Sequence, residues 1–155
     1  MRDAIGGVFN IWFLMIFIVF VSGYLAFSVS YSKAFKVKNK IISVIEQYQG
    51  YNDNAAEKID QYIDKLGYNR ASQAQAEERL GKFDTSGGWT CPNNTGYCYK
   101  KTYVDGDENG SATGRPKSYY SVVTFVNVEI PIFEKFLPYL SFFHTSGDTM
   151  TIYED

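Results

Sequence analysis

Residues 8–29, VFNIWFLMIFIVFVSGYLAFSV, run for 22 positions without a charged side chain. The polar interruptions are small or amide: Asn10, Ser22, Gly23 and Ser28. A helix rising about 1.5 Å per residue needs roughly 20 such residues to cross the ~30 Å hydrocarbon core of a bilayer. Trp12 and Tyr24 fall towards the two ends, where amphipathic rings favour the headgroup level. The core of a secretory signal is shorter, about 7–15 residues, and leads into a small-residue cleavage site. The run predicts a retained transmembrane helix with the lipid bilayer as its first partner.

The helical pattern continues past the apolar run. Residues 30–49 contain neither Pro nor Gly. Val37, Ile41, Val44, Ile45 and Tyr48 recur at three- and four-residue spacing as one apolar stripe. Lys33, Lys36 and Lys40 form a cationic stripe beside it, suited to anionic headgroups or to solvent, and Gly50 offers a stop. The expectation is a short N-terminal segment (1–7), a transmembrane helix (8–29) and an amphipathic continuation (30–50). Together they would make a rod of about 40 residues, near 60 Å, carrying a globular α+β head (51–155). The membrane-interface set is Trp12, Tyr24, Lys33, Lys36 and Lys40.

The chain has 155 residues, so the head is one modest domain. The 13 Tyr and 12 Phe of the whole chain suit contact surfaces, although filling a β-sheet is the plainer use for them. Net charge is −2 but uneven. Residues 1–50 carry Arg2, Lys33, Lys36, Lys38 and Lys40 against Asp3 and Glu46, and the acidic excess lies in the head. No basic block points to nucleic acid.

Within the head, residues 51–67 read as a helix capped by Asn54 with Glu57, closed by Gly67 and buried through Ile59, Tyr62, Ile63 and Leu66. Residues 71–81 read as a second, with Ser72 and Gln75 as its capping pair and Ala76 and Leu80 as its apolar face. Residues 84–96 read as loop. The period then changes to two. Residues 97–104 form a strand with Tyr97, Tyr99 and Tyr103 on one side. Residues 119–130 form the strongest strand, with Tyr120, Val122, Val126, Val128 and Ile130 facing one way, ended by Pro131. Residues 132–143 are apolar and broken by Pro138, and residues 148–153 alternate as a closing edge strand. The fold class is therefore α+β, with short helices and an antiparallel sheet on a long N-terminal helix.

Three residue sets carry candidate chemistry. Cys91 and Cys98 are the only cysteines, in the Gly/Asn/Pro loop CPNNTGYC, where a disulfide would staple a floppy segment. Zinc fits the spacing poorly, and His144 is the sole histidine. Asp105, Asp107 and Asn109, followed by Gly110, reproduce the first half of a calcium loop. The position that should supply a bidentate Glu is Pro116, and a polar hairpin loop explains the composition equally. His144, Ser146 and Asp148 are the residue types of a hydrolytic triad, but triad members converge from separate segments, so HTSGD reads as a turn. No cofactor, enzyme activity or small-molecule substrate is expected. Topology is contested: four lysines after the apolar run place the head in the cytoplasm by the positive-inside rule, whereas a disulfide places it outside. The outside placement is the expectation.

A short N-terminus, an apolar helix continuing as an amphipathic rod, and a small α+β head with a two-cysteine loop resemble type IV pilin-like proteins. The nearer likeness is to the TadE-like minor pilins, or pseudopilins, of tight-adherence systems. The resemblance implies a head facing outward from the cell membrane and partnership with other pilin-like subunits or machine components through the N-terminal helix. It also implies leader cleavage, for which Gly6 and Gly7 mark the matching positions. The chain departs from the pattern in having Ile11 or Trp12 where a Glu belongs at the fifth mature position, and only Arg2 as a basic leader. These departures suit a membrane-bound member that does not build filaments. Small residues (Gly6, Gly7, Gly23, Ala26, Ser30) would allow close helix approach. The rival function is a membrane-anchored binding, accessory or sensor module that recognises a ligand through a Tyr-rich head. A cytoplasmic head would instead make an inner adaptor.

Overall fold

The computed structural model describes residues 2–68, 70–104, 116–126 and 143–153, with residues 2–6 as backbone only. The first helix, α1, runs Arg2–Gln47 without a break over 46 residues, about 69 Å. The segment set apart as 1–7 therefore belongs, from Arg2, to the same helix. No Pro interrupts α1, and its end is a paired-carbonyl stop. Gln49 takes the left-handed conformation at φ 52°, Gly50 N–H bonds the Ile45 carbonyl at 2.9 Å, and Gln49 N–H bonds that of Glu46 at 3.3 Å. The left-handed residue is thus Gln49, and Gly50 follows it.

The second helix, α2 (Asp53–Leu66), is capped by Asn52, whose side chain accepts from Ala55 N–H. Asn54, the expected cap, lies inside the first turn instead. Asn52 has the extended backbone (φ −126°, ψ 174°) that a cap needs. Gly67, at φ 60°, closes the helix as expected. The third helix, α3 (Gln73–Gly81), carries the reciprocal Ser72–Gln75 capping box.

Five strands make one antiparallel sheet: β1 (Trp89–Thr90), β2 (Tyr97–Tyr103), β3 (Lys117–Phe125), β4 (His144–Asp148) and β5 (Ile152–Tyr153). Their order is β1-β2-β3-β4, with β5 also paired to β3. Two strand expectations change. The HTSGD stretch is β4, paired to β3 from Ser121↔Asp148 to Phe125↔His144, rather than a turn. Of residues 148–153, only Asp148, at the end of β4, and Ile152 and Tyr153 are in strands. Between β4 and β5, Thr149 Oγ1 accepts from Tyr120 N–H, and Met150 N–H donates to the Glu46 carboxylate. Gly147 explains the misreading. A Cβ there would lie 3.0 Å from Ile42 Cδ1 and 3.2 Å from Lys38 Nζ, so the glycine lets β4 press against α1. It does not bend the chain.

The core has two layers. On one face of the sheet, Val37, Ile41, Val44 and Ile45 of α1 pack with Ile59 and Ile63 of α2 and with Tyr97, Tyr120, Val122 and Val126. On the other face, Val123 and Phe125 pack with Ala76 and Leu80 of α3 and with both cysteines. The sequence reading anticipated the first layer and, of the second, only the Ala76 and Leu80 face of α3. The strongest strand is buried on both sides, so its outward positions are apolar too. The parts of that strand beyond Val126, and residues 127–142 generally, lie outside the described residues, as do Asp105, Asp107 and Asn109 of the calcium half-motif.

Candidate membrane rod and the base of the head

One helix experiences two environments. From residue 7 to residue 22 every side chain of α1 is exposed, including Phe13 at 62%, Phe17 at 59% and Phe20 at 68%. From Ala34 onward the inward stripe is closed, with Ala34, Val37, Ile41 and Ile45 all at 0%. The helix is long and apolar enough to cross a membrane, by length and composition.

Contacts fix how the head is laid along the rod. Phe143 meets Phe27 edge-on with ring centres 4.9 Å apart. Thr124 Oγ1 donates to the Ala34 carbonyl at 3.0 Å, Lys38 Nζ to that of Ser146 at 3.3 Å, and Met150 N–H to Glu46 at 2.8 Å. β4 therefore ascends beside α1 in the same direction. The head has a base at Phe27 and a far end at Glu46.

Several hydrogen bonds tie the base together. The Tyr68 hydroxyl lies between the carbonyls of Gly96 (2.9 Å) and Phe125 (2.5 Å) and shares its proton with both. Burial pushes that phenol's pKa up, so it remains a donor throughout the physiological range. Lys33 Nζ donates to the Gly67 carbonyl at 3.1 Å, satisfying a carbonyl at the end of α2, where a cation is favourable. Arg70 pairs with Asp64 at 2.7 Å and Asp60 at 3.6 Å.

Cys91 and Cys98 are joined in a disulfide and buried at 6% and 0%. Closing a loop of about eight residues removes unfolded-state entropy worth about 2.5 kcal/mol. The double variant Cys91→Ser, Cys98→Ser is expected to lose roughly that amount in a denaturant titration. The same loss should follow reduction of the parent protein.

Beside the disulfide, Asp84 accepts from Ser86 N–H and from Trp89 Nε1, both at 2.8 Å. Hydrogen bonds from the Ser86 hydroxyl and N–H, and from the Trp89 indole, lower its pKa to about 2. The carboxylate is bonded better in the folded chain. Its contribution is therefore complete above the ordinary value of 3.8 and lost as pH falls through about 2. In a Trp12→Phe background, Trp89 emission should shift with a midpoint near pH 2. Asp84→Ala should abolish that step.

On the sheet's inner face, Tyr51 bonds Tyr97 hydroxyl to hydroxyl at 2.9 Å and stacks on Tyr99 at 4.0 Å. Tyr97 is at 0% and Tyr120 at 6% exposure. Tyr97 and Tyr120 fill the sheet's inner face, with Tyr51 and Tyr99 half-buried against it. Burial raises the pKa of Tyr97 and of Tyr51.

The residues singled out in the sequence are dispersed. Trp12 and Tyr24 are exposed on α1 at 64% and 65%. Gly6 and Gly7 lie within α1. Lys33 is engaged with Gly67, Lys40 lies 5.9 Å from the Tyr62 ring centre, and Lys36 is exposed. Lys38, left out of the stripe, is the buried lysine at 9% and sits 4.4 Å over the Phe35 ring. His144, Ser146 and Asp148 are alternate residues of one strand, about 6.6 Å apart along it. His144 stacks on Phe83 at 3.9 Å. Tyr68 and Gly96 were missed altogether: nothing local distinguishes a tyrosine whose two acceptors lie 28 and 57 residues away.

Comparison with protein-family models, curated proteins and solved structures returned no match.

Proposed function

We propose that this chain is a structural single-pass membrane protein. Its head stands outside the cytoplasm, and its first helix packs beside helices of neighbouring subunits in a pilin-like or TadE-like surface or secretion assembly. The observation that carries the reading is the division of α1: all-round apolar exposure from residue 7 to residue 22, then a closed inner stripe under the head. Soluble surfaces rarely expose contiguous apolar patches beyond a few hundred Å², whereas a helix in lipid presents such a surface all round. The buried disulfide supports an oxidising compartment. The lysines argue less for the cytoplasm than their number suggests, because Lys33 and Lys38 are hydrogen-bonded to head carbonyls. The inward-packed tyrosines weigh against a ligand-binding face.

Assembly is tested by placing a benzophenone side chain at Phe17, at the middle of the exposed run, and irradiating cells. A crosslinked ladder of this chain, or a defined adduct with another membrane protein, supports the reading. A crosslink to lipid alone would leave an unassembled anchor and refute the assembly half of the proposal.

A further inference from the structure

The distance between the start of the apolar run and the first contact with the head sets where the head sits. Residues 8–27 number twenty, or about 30 Å of helix, which is the thickness of the hydrocarbon core. Among the described residues, Phe27 carries the first ring contact with the head, edge-on to Phe143, and Gly23, one turn earlier, is already buried. Among the described residues, no length of α1 is left between that span and the head to act as a stalk.

We infer that the base of the head is itself a lipid-contacting face, seated in the headgroup layer of the bilayer that α1 crosses. The inference rests on reading α1 as a membrane span. The residues at that level have the chemistry the headgroup layer favours. Tyr31 is one turn beyond Phe27, about 6 Å higher, within the 5–8 Å of headgroup on each side of the core. Tyr31 of α1 is 42% exposed and Phe143 45%. On the opposite face of the sheet, Phe83 is 40% exposed and stacks flat on His144, the residue after Phe143. Aromatic rings with one wet and one apolar side concentrate at this depth. The far end of the head, at Glu46 and Met150, lies nearly 30 Å further along α1 and stays in water. Seated this way, the head cannot swing about a linker. Its orientation on the membrane is set by α1 and by a second line of contact through Phe143 and Phe83.

The test uses the full chain in vesicles of mixed zwitterionic and anionic phospholipid, with a nitroxide attached at one introduced cysteine and the native disulfide intact. The positions are Phe143→Cys, Tyr31→Cys, Val21→Cys within the span, and Tyr103→Cys towards the far end. Collision with oxygen is compared with collision with a water-soluble nickel chelate. Tyr31, whose ring meets Phe27 of the same helix, keeps the test interpretable if Phe143→Cys folds poorly. The expected result is nickel collision at positions 31 and 143 severalfold lower than at 103, with oxygen collision raised. If 31 and 143 meet nickel as freely as 103 while 21 is sheltered, α1 spans the membrane and the seated head is wrong. If position 21 also meets nickel freely, the membrane span fails and the inference fails with it.

Discussion

Ile41→Ala is expected to destabilise the head by about 2–5 kcal/mol, a large share of the roughly 5–15 kcal/mol that holds a domain folded. Ile41 is completely buried in the cluster where α1 meets α2 and the sheet. Removing its side chain forfeits the transfer of about three carbon atoms from water and leaves a cavity between elements that cannot close on it. The rod carries its own hydrogen bonds, so helix content should fall much less than the tertiary signal. A thermal melt in mild detergent, followed by near-ultraviolet circular dichroism, reads the loss. Phe17→Ala removes a larger side chain from the same helix, at 59% exposure. In the same detergent it should shift the melt by no more than about 0.5 kcal/mol, as an exposed position does. Equal effects at the two sites would mean that α1 is not divided between two environments.

Gly96→Ala is expected to cost about 2–4 kcal/mol. Gly96 has φ +76°, and a Cβ there would lie 2.8 Å from Tyr68 Cε1 and 3.1 Å from the Ala71 backbone nitrogen. An L-residue is penalised once for the left-handed conformation and again for displacing the ring. That ring's hydroxyl joins the 96 and 125 carbonyls. Gly81→Ala is the matched control: it has open space and an ordinary backbone at the end of α3. It should be neutral or stabilising by up to about 1 kcal/mol. Chemical denaturation of both variants with the disulfide oxidised separates the steric effect from any effect on pairing of the cysteines.

These two sites differ in how far the sequence announced them. Ile41 was legible because α1 changes period along its length. It is uniformly apolar through residue 29, then apolar every third or fourth position, and only a helix leaving one environment for another needs that change. Gly96 and Tyr68 were not legible, because their partners are brought in by the fold from distant segments. β4 was hidden for a related reason. Ser146 and Gly147 carry turn-forming side chains, but the glycine is required by the close approach of α1. Sequence cannot tell these two needs apart. The sheet side of the second core layer escaped because a strand buried on both faces loses the alternation by which strands are recognised. The capping box of α3 was legible because both partners lie within one turn of the chain. The cap of α2 is not legible in the same way, since Asn52 and Asn54 are chemically equal and only the backbone conformation chooses Asn52.

Topology remains the point on which the lysines of α1 and the disulfide of the head make opposite demands, and one labelling experiment decides between them. Met150 is 75% exposed at the far end of the head, so Met150→Cys offers a thiol that needs no unfolding to react. A membrane-impermeant maleimide applied to intact cells should label it fully, and Cys91 and Cys98 should become reactive only after reduction. Labelling of position 150 that requires broken membranes would put the head in the cytoplasm. The native cysteines would then be expected as free thiols, and the outward-facing assembly proposed for this chain would be wrong.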